Sequence, residues 1–307
     1  MLYAGFDLGG TQLKYGLIDS KGQVVYKNKT DSPPDIKQLL EVIARCWQEL
    51  SQASGQRIAT VGLGFAGFFS LKKKRILNSP NYRTLNNFPL FPALRKILPV
   101  PFSVHNDANL AAYGEYLYGS GKKAQSLVFL TIGTGVGSGI ILNGELWQGT
   151  EGFAGELGHI TVNPEGLHCN CGSQGCLETE VSATALVRNY REFSGSGEQL
   201  TARDIYLRAK KGDPAAVKSF DKCGYYLGLG LSIVINFLNP EKIILGGGVM
   251  DSGKWLLKPT LAEVKKRAIP FSLAGCEIKK ASLGNDAGFI GAAAWARFQA
   301  KRLAVQK

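Results

Sequence analysis

Between Gly152 and Glu178 the chain concentrates side chains able to hold a metal ion or a polyhydroxylated ligand: Glu156, His159, Cys169, Cys171, Cys176 and Glu178. Cys169-x-Cys171-x4-Cys176 offers three soft thiolates, and a closed structural zinc site takes four nitrogen or sulfur ligands. The fourth ligand is His159 or His168. His168 adjoins Cys169 and would have difficulty reaching the same tetrahedron, whereas His159 is far enough away to close a loop, so His159 is preferred. Four protein ligands leave no open position, so a Zn²⁺ ion here is expected to be structural. If one ring nitrogen of His159 goes to the metal, the other is a donor. With Glu156 and Glu178 it forms a set of acceptors and one donor suited to binding hydroxyl groups.

Two glycine turns carry a second kind of chemistry. Asp7-Leu8-Gly9-Gly10-Thr11 and Gly133-Thr134-Gly135 each sit between apolar runs. Both present backbone N–H groups and a threonine hydroxyl to phosphate oxygens. Asp7, at a strand end, is placed to hold Mg²⁺ through water. Two such turns in tandem are what holding a triphosphate would require. Asn106-Asp107 stands where an apolar strand passes into a helix, the place where α/β proteins bind ligands. One of the two residues can cap that helix, while Asp107 can act as a general base toward a substrate hydroxyl attacking phosphorus.

The elements that must position these groups alternate. Leu2 to Asp19 reads as a strand, a glycine turn and a second strand, leading into Gln23–Tyr26, and strands are expected at Val61–Phe65, Phe102–Val104, Leu127–Ile132, Ile140–Leu142 and Lys242–Leu245, the last ending in Gly246-Gly247-Gly248. Helices are expected at 35–52, 108–118, 182–193, 201–211, 214–238, from about Trp255, and 289–303. The run from Tyr225 to Leu238 is nearly apolar and reads as a helix buried within its domain. Strand, glycine turn, strand and polar turn occur near the start and again from Gln125, an internal repeat suggesting two domains on one plan. Asn143-Gly144 predicts a tight hairpin. The boundaries are 1–113, completed by a C-terminal helix at 289–307, and 114–288.

Composition is that of an ordinary globular protein, 307 residues with 45% hydrophobic and 20% charged, and the alternation of strands with helices makes it an α/β protein. No signal peptide or membrane span is apparent, so a cytoplasmic location is expected. The net charge of +12 is spread over scattered clusters such as Lys72-Lys73-Lys74-Arg75 and Lys265-Lys266-Arg267. That pattern reads as solvated faces that attract anionic substrates, and no nucleic-acid partner is expected. Cys46, Cys223 and Cys276 sit in apolar surroundings and read as buried thiols.

Asp7-x-Gly9-Gly10-Thr11, Asn106-Asp107-x-Asn109, Gly133-Thr134-Gly135-x-Gly137, Gly155-Glu156-x-Gly158-His159 and Cys169-x-Cys171-Gly172-x-x-Gly175-Cys176-x-Glu178 together resemble the ROK family of bacterial sugar kinases and related repressors. The resemblance spans essentially the whole chain. It implies an actin-like ATPase (ribonuclease H-like) fold, with two α/β lobes and ATP and sugar in the cleft between them. By this resemblance Asp107 is the base that deprotonates a hexose 6-hydroxyl, and Asn81, Asn106, Glu156, His159 and Glu178 contact the sugar. His159, Cys169, Cys171 and Cys176 ligate zinc. Asp7, Gly9, Gly10, Thr11, Gly133 and Thr134 form the phosphate loops, and Gly246, Gly247 and Gly248 the adenosine side.

The implied activity is ATP- and Mg²⁺-dependent phosphorylation of glucose. Alternatives are N-acetylglucosamine, N-acetylmannosamine, mannose or fructose as substrate, or a sugar-binding regulator without turnover. Gln12, Ala66 and His105 depart from the usual lysine, proline and glutamate. The first glycine turn begins at residue 9, so no DNA-binding segment is expected ahead of it. Relatives often dimerise, which makes a homodimer a candidate assembly.

Overall fold

The computed structural model describes residues 1–70, 72–73, 75–79 and 83–305; Asn81 of the expected sugar set lies outside them. The chain begins with β1 (Leu2–Leu8), β2 (Gln12–Ile18), β3 (Val24–Asp31), α1 (Ile36–Ala53), β4 (Ile58–Phe65), β5 (Phe68–Ser70) and β6 (Arg75–Asn78). It continues through α2 (Leu90–Ile97), β7 (Phe102–Asn106), α3 (Asp107–Tyr118), β8 (Leu127–Ile132), β9 (Val136–Leu142) and β10 (Glu145–Leu146). Then come α4 (Leu177–Val181), α5 (Ala183–Ser194), α6 (Ala202–Lys210), α7 (Pro214–Leu238) and β11 (Lys242–Gly246). The last elements are α8 (Lys254–Arg267), α9 (Pro270–Ala274), β12 (Glu277–Lys280) and α10 (Ala287–Val305).

Two compact units result. One comprises residues 1–123, 139–155 and 282–307, the other 124–138 and 156–281. The sequence boundary near 113 assigned 139–155 to the second unit; those residues lie with the first, and the chain changes unit within β9.

In the first unit the strand order is β3-β2-β1-β4-β7. β1–β2 and β2–β3 are antiparallel, and β1–β4 and β4–β7 parallel. Its core gathers Phe6, Leu8, Leu13, Tyr15, Leu39, Ile43, Val61 and Leu63. α10 lies so close to this sheet that glycine is required beneath it. A β-carbon on Gly62 would fall 1.8 Å from the Ala292 carbonyl oxygen, and one on Gly5 1.8 Å from that of Phe289. Gly291 returns the same intimacy to α3, where a β-carbon would meet the Leu110 carbonyl oxygen at 1.7 Å.

In the second unit β8, β11 and β12 run parallel. α7 is started by Asp213, whose carboxylate accepts from Ala215 and Ala216 N–H, with Pro214 in the first turn, and is stopped by Asn239 in the left-handed conformation. One side of α7 is buried, with Gly224 and Gly228 facing Pro259 and the Thr260 carbonyl of α8. The other side is not: Tyr225, Ile233 and Phe237, spaced in multiples of four, are exposed. The expectation of a wholly buried helix is corrected there, because an apolar run states hydrophobicity and not coverage. Cys46 and Cys223 are buried as expected, whereas Cys276 is half-buried. Asn143 and Gly144 both have positive φ and close the β9–β10 hairpin.

Candidate active site

Within the second unit, the ligand atoms of His159, Cys169, Cys171 and Cys176 all lie within 4.8 Å of one another. Cys169 Sγ is 3.6 Å from His159 Nδ1, and Cys171 Sγ is 3.6 Å from Cys176 Sγ. Zinc–ligand bonds of 2.0–2.3 Å at tetrahedral angles put ligand atoms about 3.5–3.8 Å apart, so donor set and spacing fit zinc. Burial pushes the Cys176 thiol up to about 12 when no cation is beside it, a cost that a divalent ion would reverse. His168 is exposed, pairs with Gln174 in an isolated bridge, and is not in the cluster.

The loop is built from backbone bonds that only its glycines allow. Val162 and Asn163 N–H both donate to the Gly175 carbonyl, and Cys169 N–H donates to that of Ser173. Gly175 has φ of 67°, and a β-carbon there would meet the Asn163 carbonyl oxygen at 1.5 Å. Asn163 in turn donates its side-chain N–H to the buried Glu180 of α4 at 2.9 Å, which pins the loop to a helix.

With Nδ1 turned to the thiols, His159 Nε2 faces Glu156 Oε2 at 3.9 Å. That is too long for a hydrogen bond and suits a hydroxyl touching both. Glu178 occupies the N-terminal turn of α4, where its Oε2 accepts from Val136 N–H at 2.9 Å and its Oε1 lies 3.9 Å from Cys169 Sγ. Val136 follows Gly133-Thr134-Gly135 directly, and a β-carbon on Gly135 would lie 2.4 Å from Glu178 Oε2. The Glu178 carboxylate is thus hydrogen-bonded to the end of the second glycine turn and lies beside the cysteine–histidine cluster. Thr134 is exposed at the turn's tip, and a β-carbon on Gly133 would meet open space.

In the first unit, Asn106 is the N-cap of α3: its Oδ1 accepts from Asn109 N–H at 3.0 Å, and its Nδ2 donates to the Gly67 carbonyl at 3.2 Å. Capping therefore falls to Asn106, which leaves Asp107 as the carboxylate in the first turn. Asp107 Oδ1 accepts from Ala108 N–H at 2.9 Å. Burial raises the Asp107 pKa above the ordinary 3.8, against that backbone bond. Asp7, next to last in β1, pairs opposite Lys14 of β2. Burial first, and then the Asp107 charge, push Asp7 up to about 7, with Lys14 opposing. Gly9 N–H donates to the Gln12 carbonyl at 3.0 Å and leaves Gly10 and Thr11 exposed. A pair of mutually repelling carboxylates beside an exposed Gly-Gly-Thr tip suits a hydrated divalent cation.

Two features escaped the sequence reading. A β-carbon on Gly288, in the first turn of α10, would sit 2.3 Å from Asp7 Oδ2, so a glycine distant in sequence makes room for that carboxylate. Beside Gly248 lies a cavity of about 340 Å³ lined by Leu186, Ala202, Arg203, Tyr206 and Phe220, together with Val249, Asp251 and Ser252. Only the glycines signalled it, because Leu186, Ala202, Arg203, Tyr206 and Phe220 come from α5, α6 and α7. Gly247, φ 88°, packs against Ile132, with its would-be β-carbon 2.3 Å from that carbonyl oxygen.

Comparisons with known proteins bear on the family and the fold. The model of the ROK family matches residues 3–299. A glucokinase of Halalkalibacterium halodurans is 38% identical over 309 residues, covering 94% of this chain and 93% of that protein. The crystal structure of a ROK family glucokinase from Streptomyces griseus, in complex with glucose and AMPPNP, gives a TM-score of 0.86 at 34% identity, covering 97% of this chain and all of that one. The xylose repressor of Bacillus subtilis is 29% identical, covering 94% of this chain and 74% of that protein.

Proposed function

The chain belongs to the ROK family, and on that premise we propose that it transfers the γ-phosphoryl group of ATP to the 6-hydroxyl of a hexose, glucose first. The fold is the α/β actin-like ATPase fold with two lobes, as in its structural relatives. The observation that carries the reading is Asp107: a carboxylate held at a helix start, with its basicity raised by burial and its neighbour Asn106 relieving it of the capping role.

In the reaction, the hexose O6–H proton passes to Asp107 as O6 bonds to the γ-phosphorus. The bond from that phosphorus to the β,γ-bridging oxygen breaks, and ADP leaves. Asn106, Glu156, His159 Nε2 and Glu178 are assigned to the sugar hydroxyls. Gly9, Gly10 and Thr11, with Gly133 and Thr134, are assigned to the phosphates, and the cavity beside Gly248 to adenosine. Asp7 would hold Mg²⁺ through water, and the ion neutralises charge on the phosphates when bound. Cys169, Cys171, Cys176 and His159 would hold a structural zinc, which supplies no bond-making chemistry and fixes the loop bearing Glu156 and His159.

The glucose preference rests on the Halalkalibacterium and Streptomyces glucokinases. An ADP-release assay over glucose, mannose, fructose, N-acetylglucosamine and N-acetylmannosamine tests it. Turnover with glucose at the highest kcat/KM is expected. ADP release with none of the sugars would instead favour the non-catalytic regulator. Among the described residues no helix is long and apolar enough to cross a membrane. A homodimer is the assembly we assign, through the exposed row on α7.

A further inference from the structure

His105 is a buried histidine, 2% exposed, immediately before the Asn106-Asp107 pair, and the reaction above does not use it. Its ring is bonded at both nitrogens. Nε2 lies 2.7 Å from Gln148 Oε1. A carbonyl oxygen only accepts, so Nε2 carries the hydrogen and Nδ1 is bare. The bare Nδ1 accepts the backbone N–H of Asn106 at 2.8 Å. Trp295 of α10 stands edge-on to the ring with centroids 5.6 Å apart, which fixes the ring plane. Gln148 is held as well, since its carbonyl accepts from Ala154 N–H at 3.2 Å.

Asn106 N–H is the last backbone donor before α3 begins, and the next residue is Asp107. Whatever holds that N–H sets where the helix starts and where the Asp107 carboxylate points. We propose that His105, locked in one tautomer by Gln148, is a positioning residue that aims Asp107 at the substrate hydroxyl. The proposal rests on the reading of Asp107 as base. Burial drives the His105 pKa down to about 4, so the ring stays neutral and Nδ1 stays an acceptor at neutral pH.

The relay has two separable jobs, burial of polar groups and aim. Gln148→Leu strands a buried N–H and should lower Tm. The double variant His105→Phe/Gln148→Leu removes the stranded ring N–H and leaves only the Asn106 N–H without its acceptor, so part of the lost Tm should return. Its kcat should nonetheless stay down by roughly 10- to 100-fold with the glucose KM within about threefold, since misaim of a reacting group costs that much. His105→Asn places an amide oxygen near the position of Nδ1 and should restore kcat well above that of His105→Phe.

Wild-type kcat in the double variant, or His105→Asn no faster than His105→Phe, would overturn the proposal. Those outcomes leave the base reading intact provided Asp107→Asn is inactive. Near-normal turnover by Asp107→Asn would sink the base reading, and the aiming role with it.

Discussion

At the scale of single residues the site is a set of carboxylates held at odds with their own charge. Asp7 has a folded-state pKa of about 7 against an ordinary 3.8. Between those values the folded protein holds a proton that the unfolded chain has lost. Ligand-free stability therefore falls as pH rises through that window and levels off above about 7. Asp7→Asn removes the charge, so its Tm should exceed that of the wild type by an amount growing from pH 4 to pH 7, as followed by calorimetry. Its turnover should fall, a trade of activity for stability. The shift on Asp107 has the same sign, and here its consequence is kinetic. A base must be unprotonated, so the acid limb of kcat/KM should lie above pH 3.8, and Asp107→Asn should lose at least roughly 1000-fold in kcat while still binding glucose in calorimetric titration. A limb at or below pH 3.8 would count against Asp107 as the titrating group.

The elements hold these residues by glycines whose reasons differ, and substitution separates them. Gly247 has φ of 88° and no space beside it, whereas Gly133 and Gly248 would each carry a β-carbon into open space. Gly247→Ala should destabilise by roughly 1–3 kcal/mol or more. Gly133→Ala and Gly248→Ala should keep Tm within a degree or two and raise the ATP KM, because the open space is where a nucleotide would come. The zinc loop makes the corresponding test for metal. Cys171 is exposed, so Cys171→Ser leaves no core cavity, and a loss of zinc by elemental analysis with a Tm drop of roughly 5–10 °C would report the ion itself. Unchanged zinc content in that variant would remove Cys171 from the ligand set.

Such loops were legible in the sequence because their donors lie within a few residues of one another, and α7 was legible through its long, nearly apolar run. The short β5, β6, α2 and α9 were not, since none offers the length over which a hydrophobic period can be read. Nor were Gly288 under Asp7, Gln148 against His105, or the cavity wall from α5 and α6. Each joins residues far apart in the chain, and a single sequence carries no trace of such a meeting.

For the molecule as a whole, a net charge of +12 keeps copies apart unless an apolar face draws them together. Such a face exists on the second unit. Phe237 is 83% exposed and Phe271 91%, and Ile233, Ile269 and Tyr225 are exposed by 39–50%. The Asn236 side chain joins these elements, accepting from Ile269 N–H at 2.8 Å. Arg267 lies over the Tyr225 ring and pairs with Glu263 at 2.7 Å, which offsets part of the basic charge at the rim. With 150–250 Å² for each aromatic side chain, the exposed apolar area here is on the order of 550 Å². That approaches the roughly 800 Å² per partner of a stable interface once its rim is added. It is also large for a monomer's surface patch. A second copy meeting this face across a two-fold axis would set apolar surface against apolar surface and Phe against Phe. Light scattering should therefore give twice the chain mass for the wild type and the single mass for Phe237→Ser/Phe271→Ser. Both residues lie outside the assigned site, so the monomeric variant should keep its kcat. A monomeric wild type at micromolar concentration would leave this face without the partner assigned to it.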